Sequence, residues 1–160
     1  MTPRNLLLVG GLACALPAAA MAQSLGSAIV GSWAVTTVAD QYENGKTINN
    51  WGTVKGNVSF DANGRFTQIL VGDPQSALKS PDPRKPDAPV VAYYGTYTVN
   101  DGAKTVSFTI EAAAWSPRAG TTNTSSVEIN GDVMTLHGAA RKDQIGTFRP
   151  RVELKRVPRL

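Results

Sequence analysis

The chain has 160 residues, a single cysteine, a single histidine and a formal net charge of +4. That length suits one domain, and 42% hydrophobic residues is enough to build one core. With one Cys and one His, a His/Cys zinc set lacks its ligands, and no Ser or Thr has the partners of a recognisable triad.

Residues 1–22 read as a leader. Arg4 supplies the positive start, residues 6–20 are apolar, and Ala20-Met21-Ala22 offers the small-x-small pattern of a cleavage site. The apolar run is shorter than the roughly 18 residues of a membrane span. A lipidated Cys14 is the competing reading, but the residues before it fit that signal less well. The expectation is a signal peptide over 1–22, cleavage before Gln23, and one domain over 23–160. The mature protein would then be periplasmic or secreted by a bacterium. Beyond the leader the chain carries 15 Lys+Arg against 12 Asp+Glu, and residues 141–160 hold 7 of those cations and 2 of the acids. A basic end of this kind offers weak contact with an anionic envelope surface. Its plainer reading is the solvated outer face of a last strand. Export argues against a nucleic-acid partner.

The first expected strand covers 29–38, with Trp33, Val35 and Thr37 on one parity and Ala34, Thr36 and Val38 on the other. Both parities are apolar or β-branched, so its buried face is blurred. Residues 40–50 form a polar connection turning at Asn44-Gly45. A second strand follows at 51–60, with Val54, Val58 and Phe60 inward and Gly52 and Gly56 marking bends. Asp61-Ala62-Asn63-Gly64 is a tight turn. The third strand, 65–71, alternates Phe66, Gln68 and Leu70 with Thr67, Ile69 and Val71.

Residues 72–89 hold five prolines and read as a long loop, either a lid over one mouth or a plain insertion. Two alternating runs then flank Asn100-Asp101-Gly102, a β-hairpin signature. Its first arm (91–99) places Val91, Tyr93, Gly95, Tyr97 and Val99 on one face. Its second (105–112) places Val106, Phe108, Ile110 and Ala112 inward. After a connection over 113–122, strands at 123–129 and 133–137 meet at the type I′ signal Asn130-Gly131. A last strand spans 148–157. No stretch shows a convincing helical period. About eight sequential antiparallel strands predict an all-β, up-and-down barrel that closes its own edges, with a β-sandwich as the alternative.

Four patterns in this order carry a family resemblance. They are Gly31-Ser32-Trp33 on the first strand, Gly56 to Phe60 running into Gly64, the series Tyr93, Gly95, Tyr97, Val99, and Gly131-Asp132 with Leu136. Over residues 28–157 the chain resembles the bacterial lipocalin-like domain family. The resemblance implies a lipocalin-type barrel with an internal apolar cavity, and no particular reaction. Where relatives carry a His on the strand after the Tyr-x-Gly-x-Tyr element, this chain has Val106-Ser107-Phe108, so no His-based site carries over.

The candidate ligand contacts are Trp33, Trp51, Tyr93, Tyr97, Phe108 and Trp115. Aromatic rings with polar tips suit a pocket that is mostly apolar with a few hydrogen bonds. The same rings would equally well fill a solid barrel. Glu111 joins the list as an acid that would face a wet cavity beside Arg118, Arg141 or Arg149; otherwise it faces outward and pairs with a cation. His137 reads as a surface residue at a strand end. No cofactor motif and no metal-ligand spacing are present in the sequence. The leading expectation is non-catalytic binding of a small apolar or amphipathic ligand. The alternatives are a structural or interaction module of the envelope, and an isomerase or cyclase acting on a hydrophobic substrate.

Overall fold

The computed structural model describes residues 23–74, 82 and 85–158. The expected leader, Cys14 and the middle of the Pro-rich loop lie outside the described residues. A five-residue helix α1 (Leu25–Ile29) precedes ten strands. These are β1 (Gly31–Tyr42), β2 (Thr47–Ile48), β3 (Lys55–Phe60), β4 (Arg65–Val71), β5 (Val90–Asn100), β6 (Thr105–Ala113), β7 (Thr122–Asn130), β8 (Val133–His137), β9 (Arg141–Lys142) and β10 (Thr147–Arg156). Eight of them close a ring in the order β1-β3-β4-β5-β6-β7-β8-β10, and β10 returns to β1 along Trp33 to Tyr42. The expected eight-stranded antiparallel barrel is therefore the fold. Two-residue β2 and β9 extend β1 and β10 at one end.

Two bulges give the ring its curvature, and both alter parity. In β1, Val35 pairs with Leu154 and Thr37 with Glu153, so Thr36 is an extra residue. Trp33 and Val35 face inward before it, Val38 and Tyr42 after it. This is why neither parity of the first strand reads as the core face. In β6, Ala112 pairs with Tyr94 and Ile110 with Gly95, so Glu111 is extra. The expectation that Ala112 continues the inward face of Val106, Phe108 and Ile110 is overturned: past the bulge it is Ala113 that packs on the core.

Gly95 sits opposite this bulge. A Cβ there would collide with the Thr109 carbonyl oxygen, and one on Gly56 would collide with that of Ile69. Each glycine lets one strand bend onto its neighbour's backbone at the inner face. Strand boundaries also differ from the sequence reading: residues 29 and 30, read as the start of the first strand, are the last residue and C-cap of α1, so β1 begins at Gly31. The first strand runs on to Tyr42, since β2 pairs with Asp40 and Gln41. The second starts at Lys55, leaving Trp51 in the preceding turn.

One end of the barrel is plugged. In α1, Leu25 and Ile29 lie four residues apart, share a face and are buried. Ser24 caps the helix through Oγ, which accepts from Ser27 N at 3.2 Å. Asp101, in the β5–β6 turn, accepts from Leu25 N. A helix this short leaves most of its carbonyls without helical partners. Arg156 donates to Ala28 O at 2.6 Å and Val30 O at 3.1 Å, and Trp33 Nε1 donates to Ile29 O at 2.8 Å. The Arg156 guanidinium lies 4.0 Å above the fully buried Trp33 ring. The last charged residue of β10 thus locks the plug onto the first aromatic of β1. In the basic end, then, Arg156 is structural and Arg151 pairs with Glu153 at 2.6 Å.

Candidate ligand-binding site

Above the plug, aromatic rings stack upward through the barrel. Tyr97 meets Phe60 edge-on at 5.1 Å, Phe60 reaches Phe108 at 6.0 Å, Phe108 meets Phe66 at 4.9 Å, and Phe66 meets Tyr93 at 5.8 Å. The lower barrel is filled by these rings with Trp33, Met134, Ile110, Val106 and Leu154. The upper barrel is not filled. A cavity of about 410 Å³ opens there, away from α1. That volume lies within the roughly 300–1,000 Å³ of small-molecule sites.

Its apolar wall includes Val38, Trp51, Leu70, Val91, Leu136 and Val152, with Phe108 beneath. Polar groups enter from several strands. Gln68 and Tyr93 are cross-strand neighbours on β4 and β5, and the Gln68 side chain hydrogen-bonds the Tyr93 hydroxyl. Burial pushes the Tyr93 pKa up, against the pull of Arg118, Arg141 and that hydrogen bond, so the phenol stays neutral near pH 7. Asp40, on β1, also has a raised pKa: burial and the nearby Asp143 raise it, while Arg141 and a hydrogen bond from Asn50 hold it down. Asn123, on β7, lines the cavity too, and its Nδ2 is buried with no hydrogen-bond partner among the described residues.

The far rim is braced. Tyr42 donates to Asp143 Oδ2 at 2.7 Å and stacks on Phe148 at 5.3 Å. That hydrogen bond pushes the Tyr42 pKa up to about 12 and lowers that of Asp143. The Pro-rich loop is anchored at its base, with Gly72 N donating to Pro89 O at 2.9 Å and Asp73 N to Trp51 O at 2.8 Å. A lid role for this loop falls outside the described residues.

The cavity brings together three of the seven candidate contacts, Trp51, Tyr93 and Phe108. It does not include the other four. Trp33 belongs to the plug. Tyr97 stands at the plugged end, its hydroxyl donating to Asp61 O at 2.8 Å. Trp115 is exposed on the connection after β6. Glu111 is the bulged residue on the outer surface, where both its oxygens engage Arg65, one at 2.9 Å. Its proposed pairing with Arg118, Arg141 or Arg149 is corrected accordingly. Both partners are more than 40% exposed, so the pair contributes little to stability. We expect Glu111→Ala to move the thermal midpoint by no more than about 3 °C, corresponding to under about 1 kcal/mol. A scanning-calorimetry shift above 10 °C would contradict that placement.

His137 is half-buried at the end of β8, and no group of three metal-ligating side chains occurs among the described residues. Sequence reasoning missed Gln68, Asp40 and Asn123 as cavity groups. Gln68 had a signal: it is the polar residue between Phe66 and Leu70 on a clean inward parity. Asp40 and Asn123 had none, because each lay in or beside a segment read as a connection.

No family model matches the chain, and no curated protein matches it. Among solved structures the chain is similar to the redesigned beta barrel mFAP1 bound to DFHBI, at 16% identity and a TM-score of 0.39, covering 84% of this chain and 100% of that one. A likeness that loose has no bearing on the site.

Proposed function

We propose that this protein holds a small amphipathic molecule in the open end of its barrel, as a non-catalytic carrier or sensor. The observation that carries the reading is the unfilled upper barrel. A core folded only for stability packs its interior to crystal-like density. Here the lower half is buried core, with its own hollow of about 550 Å³ lying outside it between α1 and β7, while the upper half keeps about 410 Å³ inside the ring with an apolar wall and inward polar groups. The lipocalin-like resemblance and the expected leader fit the same reading, which places the protein outside the cytoplasm of a bacterium.

The test is native mass spectrometry on protein recovered from its own cells, alongside Leu136→Trp. Leu136 is buried against the cavity, so the larger ring occupies ligand space without touching the plug. The expected result is a stoichiometric small-molecule adduct on the wild type and at least a tenfold lower occupancy on the folded variant. Equal adduct on both, or none on either, would sink the proposal.

A second reading has its own observation. Ile69, Tyr94 and Trp115 are exposed large apolar side chains, and Ile69 and Tyr94 share a shallow outer depression with Ala112 and Ala114. An envelope interaction module would use this face. Tyr94→Lys would then abolish co-purification of a protein partner and leave the small-molecule adduct intact.

A further inference from the structure

We propose that the ligand carries a carboxylate, and that this head sits on the β6–β7 side of the cavity between Arg118 and Asn123, with its apolar tail against the aliphatic wall. The proposal rests on the cavity reading above and adds the charge and orientation of the occupant. Two unpaired donors motivate it, and both line the same cavity.

The first is Arg118. It ends a single 3-10 turn (Ser116–Arg118) after β6. The turn is pinned: Arg118 N donates to Trp115 O at 3.0 Å, Thr121 Oγ1 donates to Arg118 O at 2.7 Å, and Gly120 N donates to Ile110 O at 2.8 Å. Arg118 is half-buried, and its guanidinium carbon lies 6.0 Å from the centre of the Tyr93 ring. It makes no ion pair or hydrogen bond among the described residues. The second is Asn123 Nδ2, buried without an acceptor. A buried amide donor left unpaired destabilises the fold, and a ligand acceptor relieves that cost.

The carboxylates of the mouth stand elsewhere. Asp40 belongs to β1, and β1 lies four places from β6 in the eight-strand ring, so it is on the opposite wall. There it interacts with Arg141 and Asn50, and Asp143 is engaged by Tyr42. Both charged groups felt by the Tyr93 hydroxyl are cations, Arg118 and Arg141. A planar carboxylate suits this set, because one oxygen can accept from a guanidinium and the other from an amide. The aliphatic part of the lining is Val38, Leu70, Val91, Leu136 and Val152, which suits an alkyl or ring tail.

The experiment compares decanoate with 1-decanol, which share a tail and differ in head charge. Calorimetric titration at neutral pH is run on wild type, Arg118→Gln, Asn123→Leu and Leu136→Trp. The expected result is decanoate binding at least tenfold tighter than decanol to the wild type. Arg118→Gln should lower decanoate affinity roughly tenfold or more and leave decanol within twofold. Asn123→Leu should weaken decanoate binding and raise the melting temperature of the free protein, since it removes the orphan donor. Equal binding of acid and alcohol, or unchanged decanoate affinity in both variants, would overturn the carboxylate while leaving the cavity reading standing. Equal affinity of Leu136→Trp and wild type for both probes would overturn the cavity reading, and this proposal with it.

Discussion

Replacing Trp33 with alanine is expected to lower stability by about 4 kcal/mol, the largest single effect in this chain. The indole is fully buried, so its removal loses transfer free energy and leaves a cavity, worth roughly 3–5 kcal/mol together. It also strips the Ile29 carbonyl of its donor and removes the ring beneath Arg156. For a domain of this size that corresponds to a fall of about 10–15 °C in the thermal midpoint. Trp33→Phe separates the contributions. It keeps an aromatic ring but loses the N–H, so its cost is expected near 1–2 kcal/mol. Chemical denaturation with urea measures both. A loss below about 1 kcal/mol for the alanine variant would mean that Trp33 and Arg156 do not hold the plug.

The second large effect is expected at a residue with no side chain. Gly95→Val should cost roughly 3 kcal/mol or more, because its Cβ has no space against the Thr109 carbonyl and the obstruction is backbone. The same bend sets the direction of Tyr93, two residues earlier on the cavity face. We therefore expect the variant to lose ligand affinity even where it remains folded. Gly26→Ala is the control. Gly26 lies inside α1, where an added Cβ meets nothing closer than Ser24 Oγ at 4.0 Å. There alanine should be neutral or stabilising by up to about 1 kcal/mol. Comparable destabilisation by both would show that the backbone obstruction at Gly95 is not what sets its cost.

These two sites also mark where the sequence was readable. Most of the strands announced themselves by alternation, and β4 did so without ambiguity: Phe66, Gln68 and Leu70 are buried while Thr67, Ile69 and Val71 are exposed. Three hairpin turns were legible from their Asn, Asp and Gly residues. The bulges were not. A bulge shifts parity by one residue and leaves no compositional mark, so Thr36 blurred β1 and Glu111 misdirected the reading of Ala112 and of itself. The candidate site was legible only in part, and for a related reason. Aromatic residues were the visible feature, yet an aromatic ring serves a packed floor as well as a pocket wall. Closure of the ring decides which it does: Tyr97 and Tyr93 share a strand face, but the first sits at the plugged end and the second at the open end. Arg118 and Asn123 come from a 3-10 turn and the start of a strand. They are neighbours in the β6–β7 connection, and barrel closure is what sets the aliphatic wall of Leu70, Val91 and Val152 around the same space.

The most direct test of the central claim is methyl NMR of the Leu and Val side chains during titration with decanoate. Val38, Leu70, Val91, Leu136 and Val152 line the cavity, whereas Val58, Val106 and Leu154 lie in the packed lower barrel. Saturable shifts are expected in the first set, with the second set nearly unmoved. Shifts confined to exposed methyls such as those of Val71 and Val133, or no saturable shift at all, would contradict that claim.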